Sequence, residues 1–188
     1  MPAVTKQGPD KAAWQIYCPK VPADKTKSWR REQRMDGFLE TVAETRFSDF
    51  SSGGTLHFSK PLMYFEKARF AVAEKSCIFE VLRAVRPGAE ITFVVIRVRL
   101  DVRETVRLPA GEVERPMRVR TWLDPTPMYR MTFRQQLLDA TDETVLVEAL
   151  IDVVILVDGE VLRQYPAEVR ECLETYQRNL NNSGREGN

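Results

Sequence analysis

Residues 47–69 read FSDFSSGGTLHFSKPLMYFEKAR and contain the chain's one histidine, His57, together with Asp49, Ser51, the pair Gly53-Gly54 and Glu66. The glycine pair permits a tight turn with positive φ at little steric cost. Ser59 is placed to cap a helix and Pro61 is tolerated in its first turn, so a helix is predicted to start near Ser59. Phe58, Leu62, Phe65, Ala68 or Arg69, and Val72 recur at three- and four-residue spacing, which makes one helix face apolar. Such a face needs a flat apolar partner from elsewhere in the chain.

That partner is supplied downstream. The helix is expected to fade near 79–84, and Pro87-Gly88 marks a turn. From 91 to 106 the pattern has period two: Val94, Ile96, Val98, Leu100 and Val102 alternate with Val95, Arg97, Arg99, Asp101 and Arg103, which predicts a long strand with one wet face. Alternation returns at Met117, Val119, Thr121 and Leu123, again at Tyr129, Met131, Phe133 and Gln135, and again from Val145 to Val157. The polar run 139–143 supplies the loop of an antiparallel hairpin between the last two. Upstream, 38–47 is read as a strand in its second half. Downstream, Asp158-Gly159 is a turn, and Pro166 precedes a short amphipathic helix, AEVRECLETYQ, followed by a polar tail expected to be disordered.

This order, with no βαβ alternation, predicts an α+β fold in which an antiparallel sheet wraps one long helix. At 188 residues and 43% hydrophobic, the chain has room for one domain, taken as 37–176, with an extension at 1–36 and a tail at 177–188. In the extension Trp14, Ile16 and Tyr17 form an apolar cluster among prolines and basic residues. A net charge of +1 gives no electrostatic case for nucleic acid. Cys18, Cys77 and Cys172 are scattered and outside any CxxC spacing, against both a disulfide framework and a zinc site. No apolar run approaches ~18 residues and no signal-peptide core is visible, so a soluble cytoplasmic protein without a membrane partner is expected.

The element order and the central motif resemble the hotdog-fold acyl-thioester family, in particular the branch of 4-hydroxybenzoyl-CoA thioesterase. Phe47-Ser48-Asp49, Gly53-Gly54 and Phe65-Glu66-Lys67-Ala68-Arg69 match its aromatic-x-Asp opening, its glycines and its Tyr/Phe-x-Glu-x-Ala-Arg helix, and the resemblance spans about 38–173. Where that branch carries its catalytic carboxylate, this chain has Ser51, whose hydroxyl is neither base nor nucleophile unaided. A second hotdog branch sets a catalytic glutamate nine positions after a histidine, the separation of His57 and Glu66 here, although Phe58-Ser59 replaces the glycines usual after that histidine.

The resemblance implies an acyl-CoA or phosphopantetheinyl carrier protein as partner, a homodimer or higher homo-oligomer, and no cofactor or metal. It implies hydrolysis in polyketide or fatty-acid-derived biosynthesis, with His57, Glu66 and Asp49 as catalytic candidates and Ser51, Gly54 and Phe58 at the substrate. His57 would polarise the carbonyl while N–H groups at the helix start hold the oxyanion. The plainer readings stand beside these: His57 as a capping or packing residue, Glu66 paired with Arg69, Asp49 and the serines as turn residues, Tyr64 as packing or interface. Arg97, Arg99, Arg118, Arg120, Arg130 and Arg134 either meet coenzyme A phosphates or an acidic carrier, or form a solvated sheet face. Two other functions stay open, a tailoring acyltransferase or decarboxylase and a non-catalytic acyl-thioester-binding protein.

Overall fold

The computed structural model describes residues 37–125 and 129–183. The elements run β1 (Leu39–Ala43), a 3₁₀ turn (Phe47–Asp49), α1 (Lys60–Lys75), α2 (Ile78–Val85), β2 (Ile91–Val102), β3 (Met117–Pro125), β4 (Arg130–Asp139), β5 (Val145–Val157), β6 (Glu160–Val161) and α3 (Ala167–Ser183). The sheet order is β1-β3-β4-β5-β2, antiparallel at each pairing, with β6 returning on β5 through the Asp158-Gly159 turn. The cluster 14–17 lies outside the described residues.

Period two decides which side of the sheet is dry. Met117, Val119, Thr121 and Leu123 of β3 face Met131, Phe133, Gln135 and Leu137 of β4, and Val147, Ala149, Ile151, Val153 and Ile155 continue the face on β5. Helix α1 lies across β1, β3 and β4 and buries Pro61, Tyr64, Phe65, Ala68, Val72 and Ala73 on it. Helix α3 adds Val169, Leu173 and Tyr176 and packs on α2.

Local expectations change in four places. Strand β1 occupies the first half of 38–47, not the second, because Leu39 and Ala43 register on Thr121 and Met117 while Phe47 turns out to solvent in the 3₁₀ turn. The long helix is two helices: the Ser76 hydroxyl donates to the Ala73 carbonyl and Cys77 adopts a left-handed φ of 54°, which ends α1 and re-aims α2. The wet and dry faces of β2 are misassigned by simple alternation. Val95 pairs with Val153 but Arg97 with Asp152, so Ile96 is a one-residue bulge and the inward set is Ile91, Phe93 and Val95 before it, then Val98 and Leu100 after it. As an edge strand, β2 also leaves Val95, Ile96, Val98 and Val102 exposed. Finally α3 runs on to Ser183, beyond the expected end at Gln177.

The outer face carries the arginine ladder. Arg118 and Arg120 both reach Glu40 and Glu143, Arg97 and Arg130 approach Asp152, and the Arg120 and Arg134 guanidinium groups lie over Phe38 and Trp122. This is the solvated, paired face rather than an open cationic surface.

Candidate active site

Residues 49–57 close into a small hairpin. The His57 N–H donates to the Asp49 carbonyl at 2.8 Å, Ser51 N–H to Thr55 O at 2.8 Å, and Gly54 N–H to Ser51 O at 2.8 Å. Gly54 takes φ +72°, the conformation for which the glycine pair is suited. The hairpin is held against the segment after β2 by Leu56 N–H to Val106 O and Leu108 N–H to Gly54 O. Ser51 is committed to this turn: its hydroxyl oxygen accepts the Thr55 N–H at 3.2 Å.

Asp49 is the electrostatic centre of the helix start. Its buried carboxylate accepts the Tyr64 hydroxyl at 2.8 Å and the Arg46 N–H at 2.9 Å, and lies 2.7 Å from the Lys60 ammonium. Burial alone would raise its pKa, but the Lys60, Tyr64 and Arg46 hydrogen bonds outweigh burial and hold it below the usual carboxylate range. Burial, with the Asp49 pairing added to it, pushes the Tyr64 phenol above its ordinary range. A carboxylate so stabilised as an anion is a weak base, so the arrangement suits Asp49 to fixing the turn against α1 rather than taking a proton.

His57 is exposed, and its carbonyl accepts the Lys60 N–H at 2.9 Å. Since Pro61 has no N–H, two of the first helical positions cannot serve an oxyanion. Ser59 occupies the N-cap position, yet its hydroxyl makes no capping bond. Phe58 is 74% exposed, off the buried arc of α1, because it precedes the helix and escapes its phase. Glu66 is exposed on α1, two turns along from His57, and no hydrogen bond or ion pair joins the two among the described residues.

An apolar cavity lies on the other flank of α1. This cavity of about 70 Å³ runs along the helix from Glu66 at its mouth, past Arg69 and Phe70, to Ile78 and Phe79 of α2, with Met131 and Phe133 below it and Val95 of the edge strand at its side. Phe79 and Phe93 close one wall with ring centroids 4.7 Å apart. Of the candidates read from the sequence, only Glu66 lines it; Asp49 lines a separate polar hollow with Arg46, Lys60 and Lys67. The sequence reading missed Gln135 and Thr121, which meet behind the cavity. Their signal was a polar side chain on the dry face of each strand.

No family model and no curated protein sequence matches the chain. Solved structures do. A probable thioesterase from Bartonella henselae shares 18% identity at a TM-score of 0.57, covering 69% of this chain and 99% of that one. A 1,4-dihydroxy-2-naphthoyl-CoA thioesterase from Synechocystis shares 12% at 0.60, covering 77% and 98%. A thioesterase from Thermus thermophilus, solved with coenzyme A and zinc, shares 18% at 0.59, covering 76% and 97%. At these identities the shared property is the fold, and the chain has the hotdog fold.

Proposed function

We propose that this chain is an acyl-thioester hydrolase acting on an acyl-CoA or an acyl group carried on phosphopantetheine. The observation that carries the reading is the apolar cavity along α1 with a carboxylate, Glu66, at its mouth, in a fold shared with thioesterases. Glu66 takes a proton from water as the water oxygen bonds to the thioester carbon. Collapse of the tetrahedral adduct breaks the C–S bond, and the proton returns from Glu66 to the departing sulfur. His57 donates to the carbonyl oxygen as it gains charge, while Ser51 and Gly54 shape the turn and Phe58 contacts the thiol arm. Asp49 positions that turn.

We infer a homodimer joined at the β2 edge. Ile96, Val98 and Val102 are exposed there and Val95 reaches the cavity, so a second copy would complete the mouth and bring its own hairpin within reach. A cytoplasmic role in polyketide or fatty-acid-derived biosynthesis fits such a substrate. The test is thiol release from a panel of acyl-CoA and acyl-carrier substrates, with product masses recorded. Turnover lost by at least a hundredfold in both Glu66→Ala and His57→Ala supports the reading. A changed acyl mass without thiol release supports the acyltransferase or decarboxylase alternative, and binding without either supports a non-catalytic protein.

A further inference from the structure

Several arginines in and beside the sheet have acidic partners: Arg115 with Asp139, Arg103 with Glu148, Arg118 and Arg120 with Glu40 and Glu143, Arg130 with Asp152. Arg69 differs. It is half-buried in the wall of the apolar cavity, and its one hydrogen bond among the described residues runs from a terminal N–H to the neutral Gln135 Oε1 at 2.9 Å. No carboxylate of the described residues lies within 4.0 Å of it, and Glu66 acts on it only through charge at longer range. A guanidinium carries five N–H donors, so most of its hydrogen-bonding capacity is left for a ligand.

The group is also held in place. Gln135, directly opposite Thr121 in the sheet, donates one amide N–H to the Phe65 carbonyl at 2.9 Å and the other to the Thr121 hydroxyl at 3.0 Å. Both side chains are 0% exposed, and this pair of bonds fixes which way the amide faces, so the carbonyl oxygen must point at Arg69. A buried polar hub therefore pins a cation without neutralising it. Burial presses the Arg69 pKa down against a smaller upward pull from Glu66, as expected of a desolvated charge short of a counter-ion.

We propose that Arg69 recognises an anionic acyl group, and that the cavity takes a short dicarboxylic acyl thioester whose free carboxylate sits on the Arg69 guanidinium. The inference rests on the thioester reading above and names its substrate class. Glu66 and Arg69 are three residues apart, so their side chains neighbour each other on one helix face, and both line the cavity. At about 70 Å³ the cavity has no room for a long acyl chain. A planar guanidinium pairs bidentately with carboxylate, which a lysine does not.

The experiment compares thiol release from succinyl-CoA, its monomethyl ester and butyryl-CoA by the full chain, with Arg69→Met and Arg69→Lys, and measures binding of the corresponding non-hydrolysable thioether analogues by calorimetry. The expected result is kcat/KM at least tenfold higher for succinyl-CoA than for either neutral substrate, a preference abolished in Arg69→Met and reduced in Arg69→Lys. Equal or better use of butyryl-CoA by the unaltered chain overturns the assignment while leaving hydrolysis standing. If no substrate releases thiol, hydrolysis fails, and the analogues decide: tighter binding of the succinyl form that Arg69→Met removes sustains the anion site, and equal binding ends it. Should Arg69→Met not fold, the unaltered chain's preference and Arg69→Lys decide.

Discussion

Tyr64 donates its hydroxyl to the Asp49 carboxylate at 2.8 Å, and through that bond the second turn of α1 is tied to the 3₁₀ turn that opens the motif. Lys60 and the Arg46 N–H complete the set around the same carboxylate. Replacing Tyr64 by Phe keeps the ring in the core and removes one donor to a buried anion, a loss of about 1–3 kcal/mol. Because the folded pKa of Asp49 is depressed, its contribution is present above the unfolded value near 3.8 and is lost as pH falls through the folded value. Tyr64→Phe shrinks that depression. Urea unfolding at pH 7 should show the lower stability, and acid unfolding of the variant should begin at higher pH; identical acid profiles would contradict this account.

Asp139 gives a second, separate acid-sensitive point. Burial by itself raises its pKa, but the Thr141 hydroxyl and N–H and the Arg115 guanidinium, which donates twice to one carboxylate oxygen, hold it at about 2 against 3.8 unfolded. The sign is again that of a depressed acid: stabilisation of about 2 kcal/mol is present above pH 4 and is lost between pH 4 and 2. Asp139→Asn should therefore be less stable at pH 7 by roughly that amount. The gap to the unaltered chain should close toward pH 2, which stability measured across that range checks directly.

What the sequence made legible follows from periodicity, and what it hid follows from single residues. Strands β3, β4 and β5 and the start of α1 are readable because period two and period 3.6 each act over many residues, so one exception does not erase them. The Ile96 bulge is one inserted residue, yet it reverses every later side chain of β2, and nothing local in ITFVVIRVRLDV marks it. The Cys77 break lacks the glycine that usually announces a left-handed residue. At the site, the residue types near the helix start were visible but their engagements were not. Arg69 and Gln135 are 66 positions apart and meet only because strand pairing sets Thr121 opposite Gln135 beneath the helix.

The edge strand makes a test of assembly. Ile96 is 53% exposed in the protomer, so Ile96→Lys leaves the core intact. Two copies paired at β2 would then bring added lysines close to Arg97 and Arg99, and like charges along an edge oppose strand pairing. Light scattering should find twice 21.7 kDa for the unaltered chain and a single 21.7 kDa chain for the variant. An unaltered chain that is monomeric at micromolar concentration rejects pairing at β2 outright.

Cys77 is the junction on which the far end of the cavity depends. Its φ of 54° is a left-handed conformation, which costs a residue bearing a Cβ roughly 1 kcal/mol and costs glycine almost nothing. Glycine also adds freedom to the unfolded chain, which offsets part of the gain, and Cys77 is exposed, so its side chain gives up little packing. Cys77→Gly should therefore be neutral to stabilising, by up to about 1 kcal/mol. Cys77→Val should instead destabilise by more than that, since a β-branched side chain is the worst fit to positive φ. Thermal unfolding separates the pair: a higher Tm for glycine and a lower one for valine support a strained hinge between α1 and α2. Equal losses in both would mean that the thiol itself holds the junction and that backbone conformation at position 77 does not decide its stability.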